Sequence, residues 1–599
     1  MNLDDELLYQ SLADTFGISR DDTDILEGLR ADLSIEGIGA GDTLVSEGEP
    51  SDALFILLQG RLYASAEGPG GEVFLGEIRR GETIGEIGII MDAPRGATVR
   101  AARASTVARL SAEAFHDLMG RYPALGLAIA RTLITRSSRD AGPRHPGFVP
   151  ETMCLMRATP GADPERVAKA LSAESPLPVR IIPEGGDLAA ARMAVHDGER
   201  RGERVIILAS GADPDWLRMA VSEADEVVRV ADAGDAPLPG DAEREIARDA
   251  GAVLPRHTLL LVHPDDTRSP LGTRNWLEPR QVDRHLHMRM GVAADVGRVG
   301  RLLSGRAVGI VFAGGAARGG SHVGAIRALN EAGVEFDIVG GTSIGAAMAA
   351  WYAMGLRGDD LQRAACKVFV DSGGPTSDWN LVPLLSLVKG KQTRDLCIES
   401  IRETTGHDID IEDTWTPYFC MTANYTAQEQ AVLQRGPLWQ ALSATYAIPG
   451  VLPPVIIEGE LHVDGGVMNN LPVDVLEEVG AAYTIAIDLL GERKKAIALK
   501  EMPTTLPFLI DRFRPRKKRK YRIPGILSML FNSTVLASLK LQREMALRAH
   551  LCMTPDLPRV GLLDWGKFNE TIELGYQSIR DQLPSVPEEV MAALRGRAG

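Results

Sequence analysis

The chain has 599 residues, 45% of them apolar, and a formal net charge of −16. That length exceeds one ordinary domain, so roughly three or four domains with sizeable cores are expected, and the acidic balance argues against nucleic acid as a partner. Five cysteines, at 154, 366, 397, 420 and 552, show no C-x-x-C spacing; this predicts a reducing compartment and neither a metal centre nor a disulfide framework. The N-terminus is acidic and lacks a signal-peptide layout, and no apolar run reaches the ~18–20 residues of a membrane span. A cytoplasmic location is expected, extended at most to the inner membrane surface.

Residues 1–30 read as short helices. From about 31 to 110, acidic and glycine turns alternate with short strands at Ala53–Leu58, Arg61–Ala64, Val73–Leu75, Ala97–Ala101 and Thr106–Leu110, a texture that predicts a β-roll or barrel. Residues 111–138 read as helical and 141–147 as a linker. Between 151 and about 265, strands at Met153–Arg157, Arg204–Ala209, Glu226–Val230 and Thr258–Val262 alternate with helical stretches, predicting a small α/β layer. It holds no G-x-x-x-x-G-K-[ST] and is assigned no nucleotide chemistry. A polar connector rich in His and Arg spans 266–304. A second α/β domain begins with strand Val308–Phe312 and runs to about 490. The remainder is mixed and contains the basic run Arg512–Arg522 beside apolar stretches at Ile526–Phe531 and Val535–Leu539, a pattern that suits an anionic membrane surface or a solvated loop beside a packed helix.

Two patterns carry chemistry. Gly341-Thr342-Ser343-Ile344-Gly345 follows the strand-like Phe336–Val339 and precedes the helical Ala346–Trp351, the layout of a nucleophile elbow. A serine nucleophile needs a base and an oxyanion hole. Upstream, Ala313–Gly320 is a loop of small residues entering a helix, where backbone N–H groups can approach an oxyanion. Downstream, Asp464 sits on a Gly-Gly turn after a strand. Taken singly, the loop also reads as an ordinary strand-to-helix turn or a phosphate loop, and Asp464 as a turn residue. His322 and His462 lie nearby and would complete a triad only if one stood beside Ser343; lone histidines more often hold structure. In the second pattern, Thr83–Val99, a glycine turn with Glu86 and a short helix precede Arg95 on small residues. A carboxylate there can accept a ribose hydroxyl, and a guanidinium can fork onto a cyclic phosphate.

The loop with its Arg-Gly, the G-x-S-x-G and the D-G-G together resemble the patatin-like phospholipases over about 305–490. Gly314–Gly324 and the polar connector are most similar to the neuropathy target esterase branch, which also carries N-terminal cyclic-nucleotide-binding-like domains. The resemblance implies a three-layer α/β/α sandwich and a Ser-Asp dyad without histidine. Ser343 would be the nucleophile and Asp464 its base, with Gly341 and Gly345 shaping the elbow. Gly314, Gly315 and Ala316 would form the oxyanion hole, with Arg318 and Gly319 holding the loop. The sequence departs from the family at Ala313 and Ala316, where glycine is usual and alanine tolerates positive φ poorly. Thr83–Val99 resembles the phosphate-binding cassette of cyclic-nucleotide-binding domains over about 25–135. There Glu86 would take the ribose hydroxyl and Arg95 the phosphate, with Gly85, Gly88, Gly96 and Ala97 lining the cassette; a roll that keeps the fold and binds nothing is the alternative.

The expected organisation is a multidomain chain. A cyclic-nucleotide-binding-like β-roll with helices spans 1–140, and an α/β spacer domain and connector span 150–300. A patatin-like catalytic domain spans 305–490, and an extension with the basic run spans 491–599. The expected function is a serine esterase acting on acyl esters of phospholipids or lysophospholipids, with no cofactor or metal for catalysis and cyclic AMP or cyclic GMP as a candidate regulator. Peripheral contact with an anionic membrane is expected, nucleic acid is not, and a homo-oligomer stays open. The rival readings are a cyclic-nucleotide sensor with a silent hydrolase scaffold and a triacylglycerol lipase.

Overall fold

The computed structural model describes residues 27–28, 30–68, 71–78, 80–122, 150–248, 256–372, 378–489, 511, 538–557, 560–561 and 564–596. The expected helices of 1–26 and 123–138, the linker at 141–147 and the basic run at 512–522 lie outside them. The chain divides into two compact units, one reaching Asp265 and including Asn275–Ser304, the other formed by Asp266–Arg274 and Gly305–Ala598.

The first unit opens with eight strands: β1 (Leu33–Ile38), β2 (Thr43–Val45), β3 (Ala53–Gln59), β4 (Leu62–Gly68), β5 (Gly71–Ile78), β6 (Thr83–Ile84), β7 (Thr98–Ala101) and β8 (Ser105–Ser111). They form two antiparallel four-stranded sheets, ordered β1-β8-β3-β6 and β2-β7-β4-β5. Side chains from both, among them Phe55, Leu57, Leu62, Val99 and Val107, share one core, as expected of a roll. The helix Ala112–Arg121 follows, capped where Ser111 Oγ accepts the Ala114 N–H at 3.2 Å.

Six parallel strands come next: β9 (Thr152–Arg157), β10 (Val179–Ile182), β11 (Arg204–Ala209), β12 (Glu226–Asp232), β13 (Arg256–His263) and β14 (Arg284–Arg289). Their order is β10-β11-β9-β12-β13-β14. The polar connector expected at 266–304 is therefore not one: it supplies the edge strand β14 and the helix Ala293–Leu303. An edge strand with His or Arg at four of its six positions hides its apolar face from a pattern search, although Leu286 and Met288 are buried. After β9, the Gly161 N–H donates to the Asp235 carboxylate at 2.8 Å. An acidic group thus occupies the loop where a parallel nucleotide-binding fold would cradle phosphate. Buried Arg103 pairs with Glu199 at 2.6 Å and Asp225 at 3.1 Å, joining the roll to this sheet.

The second unit is built on β15 (Val308–Phe312), β16 (Ile338–Thr342), β17 (Tyr418–Asn424), β18 (Glu429–Leu433), β19 (Val455–Ile457), β20 (Glu460–Asp464), β21 (Tyr483–Ile487) and β22 (Leu551–Met553). The order is β19-β20-β17-β16-β15-β21-β22, with β18 pairing β17. The central strands are parallel and buried on both faces, so they read as unbroken apolar runs. Residues beyond 490, expected as an extension, contribute β22 to this sheet. They also supply the helix Phe568–Gln582, which packs on the helix Gly320–Glu331. The contact is backbone to backbone: a Cβ on Gly575 would meet the Ser321 carbonyl at 2.5 Å, and one on Gly324 would collide with the Ile572 carbonyl. Among the described residues no helix is long and apolar enough to cross a membrane.

Candidate active site

β16 ends at Thr342 and a helix begins at Ile344, leaving Ser343 alone on the turn. Its φ of 53° and ψ of −127° lie in a region L-residues rarely occupy, which is strain of order 1–3 kcal/mol held by the surrounding packing. The flanking glycines serve close approach rather than positive φ: a Cβ on Gly341 would lie 2.6 Å from the Phe312 carbonyl oxygen, and one on Gly345 would collide with it. The turn is thereby pressed against β15.

Strand register brings Asp464 to Ser343. Thr342 pairs with Met421, so the next step of β16 falls beside Thr422, and Thr422 pairs with Asp464 on its other side. The backbones of Ser343 and Asp464 thus flank one strand, about 10 Å apart by sheet spacing. Both residues are buried. Asp464 Oδ1 accepts the Gly466 N–H at 2.8 Å. Oδ2 is buried with no hydrogen-bond partner, and the Ser343 hydroxyl is the side chain near enough to the carboxyl to oppose its upward shift. Such contacts are commonly loose before substrate arrives. Burial pushes the Asp464 carboxyl up from 3.8 to about 6, against the opposing pull of the Gly466 N–H and the Ser343 hydroxyl.

The loop after β15 completes the geometry. Its start is fixed by the Ala313 N–H donating to the Ile487 carbonyl at 3.1 Å. Buried His322 has its Nε2 2.8 Å from the Ala313 carbonyl oxygen, so Nε2 carries the proton, and burial holds this imidazole near a pKa of about 4. The N–H groups of Gly314, Gly315 and Ala316 donate to no described group. Gly314 adjoins Ser343: a Cβ there would lie 3.2 Å from Ser343 Cβ. Ala316 does take a positive φ, 48°, so alanine bears the strain that glycine would have avoided. Arg318 holds the loop by donating to the Val560 carbonyl at 3.2 Å and the Leu489 carbonyl at 3.5 Å. Gly319 abuts Ile344, where a Cβ would collide. His462 Nδ1 faces Thr422 Oγ1 at 3.0 Å; neither histidine bonds to Ser343 or Asp464.

Sequence reasoning missed three supports. Thr445 Oγ1 accepts the Ser343 N–H at 2.8 Å and donates to the Met421 carbonyl at 2.6 Å. Asn470 Nδ2 donates to the Gly314 carbonyl at 3.3 Å and to Gln542 Oε1 at 3.2 Å. Gln542 in turn donates to Asp488 at 2.6 Å. Only Asn470, six residues after Asp464, had a sequence signal within reach. Among the described residues no group of three or more His, Cys, Asp or Glu could hold a metal.

In the roll, Gly85 has a φ of 87° at the start of the helix Glu86–Ile90, and a Cβ there would collide with Arg95 Nη1. Arg95 is buried, with Nη2 2.7 Å from the Ala53 carbonyl oxygen and 3.3 Å from Asp52. Its Nε and Nη1 are buried with no acceptor. Glu86 is buried close by, Gly88 abuts Ser51, and Gly96 and Ala97 follow with open space over Gly96.

Comparison with known proteins defines the class. Residues 310–477 match the patatin-like phospholipase family, residues 36–122 the cyclic nucleotide-binding domain and residues 197–306 the neuropathy target esterase family P-loop-like domain. The chain is 26% identical to Lysophospholipase NTE1 of Mycosarcoma maydis over 91% of its own length and 33% of that protein. It is 29% identical to patatin-like phospholipase domain-containing protein 7 of Mus musculus over 90% of this chain and 44% of that one. With an NTE family protein of Mycobacterium bovis it shares 29% identity over 95% of both chains. The chain thus spans a third to under a half of the fungal and mouse relatives. It carries a patatin-like phospholipase domain, preceded by a neuropathy target esterase family P-loop-like domain and a cyclic nucleotide-binding domain.

Proposed function

We propose that this chain is a serine esterase that hydrolyses acyl esters of phospholipids or lysophospholipids through Ser343 and Asp464. The observation that carries the reading is the strained Ser343 turn beside a buried carboxylate and three unengaged N–H groups. Asp464 takes the Ser343 proton as Oγ bonds to the ester carbonyl carbon. The oxyanion is met by the N–H groups of Gly314, Gly315 and Ala316. The tetrahedral intermediate collapses, and the departing alkoxide carries the proton from Asp464. Water then gives a proton to Asp464 as its oxygen bonds to the acyl carbon; the second tetrahedral intermediate collapses, Asp464 returns that proton to the departing Ser343 Oγ, and the fatty acid is released. The raised carboxyl suits this alternation, because a base poised nearer neutrality both accepts and returns a proton readily.

Substrate class rests on likeness to relatives named lysophospholipases. The test is fatty-acid release from lysophosphatidylcholine against triolein: preference for the first supports the proposal, and preference for triolein replaces it with a lipase. Absence of turnover on both, with Ser343 inert, would leave a scaffold.

A regulatory reading has its own support. The buried, unsatisfied Nε and Nη1 of Arg95 are poised for an anionic oxygen, and a cyclic phosphate would supply two. Binding would draw Arg95 from the Ala53 carbonyl. Calorimetry with cyclic AMP and cyclic GMP tests this, and no heat at saturating concentration of either removes it.

A further inference from the structure

Residues Asp378–Lys389 form a short hairpin. Trp379 bridges Val388, the Asn380 N–H donates to the Leu387 carbonyl at 2.9 Å, and the Lys389 N–H donates to the Asp378 carbonyl at 2.8 Å. Asn380 Nδ2 ties the two arms from inside by donating to the Ser386 carbonyl at 2.9 Å, and Ser386 Oγ braces its own arm by donating to the Val388 carbonyl at 2.7 Å. The hairpin is thus internally braced, yet its tip is inverted in polarity. Leu381 is 98% exposed, Leu384 88%, Leu385 80%, Val382 70% and Trp379 53%. Single exposed apolar residues need no explanation, whereas five on one braced tip mark a surface that something covers.

The flank of this tip is cationic. Lys389, Lys391 and Arg394 are exposed and line a groove of about 480 Å³ with Trp439, Leu452 and Ile456. Lys389 and Lys391 pair with no described acid; Arg394 has only Asp395, at 3.4 Å. The hairpin is also tied to the candidate active site. Leu387 and Val388 donate to the Gly450 and Val451 carbonyls at 3.0 and 2.9 Å. A few residues earlier on that same segment, Ala447 accepts the Asp464 N–H at 3.0 Å and Thr445 accepts the Ser343 N–H at 2.8 Å.

We infer that the hairpin Trp379–Val388 and the cations Lys389, Lys391 and Arg394 dock the catalytic unit on an anionic lipid bilayer. The apolar tip enters the acyl region, Trp379 sits at the headgroup level, and the cations meet lipid phosphates. A second copy of this chain fits less well, because a face-to-face pair would press these unpaired lysines against their own counterparts. Docking here sets the segment 445–451, which holds both Ser343 and Asp464, directly behind the membrane contact. The inference deepens the proposed lipid substrate and rests on it for its purpose, though not for its test.

Flotation of the full chain with vesicles of phosphatidylcholine containing one-third phosphatidylglycerol tests the inference. The parent chain floats with these vesicles and floats poorly with pure phosphatidylcholine. The triple variant Leu381→Ser, Leu384→Ser, Leu385→Ser loses at least ten-fold in vesicle affinity, and Lys389→Glu with Lys391→Glu loses the preference for the anionic lipid. Unchanged thermal unfolding and unchanged cleavage of a water-soluble p-nitrophenyl ester show that each variant is folded. Ser343→Ala floats like the parent, so an inactive enzyme that still binds separates failure of the esterase reading from failure of this one. A parent that does not float, or a triple variant that floats equally, overturns the inference. So does a triple variant that dissociates a dimer in sedimentation while its vesicle binding is unchanged, which would make the hairpin an interface between copies.

Discussion

Replacing Asp464 by Asn should stabilise the catalytic unit while abolishing its turnover. Burial raises this carboxyl from 3.8 to about 6, so the folded state holds the proton more tightly than the unfolded chain. Its contribution to stability is full below pH ~4 and is lost as pH rises through about 6. The shift is just over two pH units, worth about 3 kcal/mol at ~1.4 kcal/mol per unit. Asparagine is close in volume, never ionises, and can still accept the Gly466 N–H through Oδ1. The variant should therefore exceed the parent by up to about 3 kcal/mol at pH 8 and by under about 1 kcal/mol at pH 4. Urea unfolding at both pH values, followed by tryptophan fluorescence and circular dichroism, measures the difference. A variant less stable than the parent at pH 8, or a gap independent of pH, would refute the claim that Asp464 is held at an energetic cost for chemistry.

Esterase activity on a soluble ester should rise with pH through about 6, since Asp464 must be ionised to take the serine proton; a rate flat from pH 5 to 8 contradicts this assignment. Thr445→Val should lower kcat ten-fold or more and destabilise by about 1–3 kcal/mol, because it leaves the Ser343 N–H buried without an acceptor; kinetics with urea unfolding read both. Gly85→Ala places a Cβ against Arg95 at a φ of 87° and should remove any cyclic nucleotide binding seen by calorimetry while sparing hydrolysis of the soluble ester. His462→Gln should keep most of the activity, because His462 bonds to Thr422 rather than to Ser343 or Asp464.

What the sequence made legible follows from the range of the interactions involved. The elbow could be read because its glycines, strand and helix are local, and the loop before it because small residues cluster within Ala313–Gly320. Positive φ at Ala316 was foreseeable from the departure at that position, and the structure places the strain there. The Ser343–Asp464 approach depends on β17 lying between two strands far apart in sequence, so it was reachable only through likeness to a family. Thr445 and Gln542 had no local signal: each acts through contacts with residues 24 to 102 positions away. Strand β14 escaped because histidine and arginine occupy most of its positions, while β2 and β6, of three and two residues, are too short for periodicity to register. No motif marks the apolar tip at Leu381–Leu385, and only its exposure reveals it as surface.

The most direct test of the account is peptide mapping by mass spectrometry after reaction with a fluorophosphonate. The account requires one adduct per chain, on the hydroxyl of Ser343, slowed strongly in Asp464→Asn. Labelling at another residue, or none on a folded chain, would contradict it.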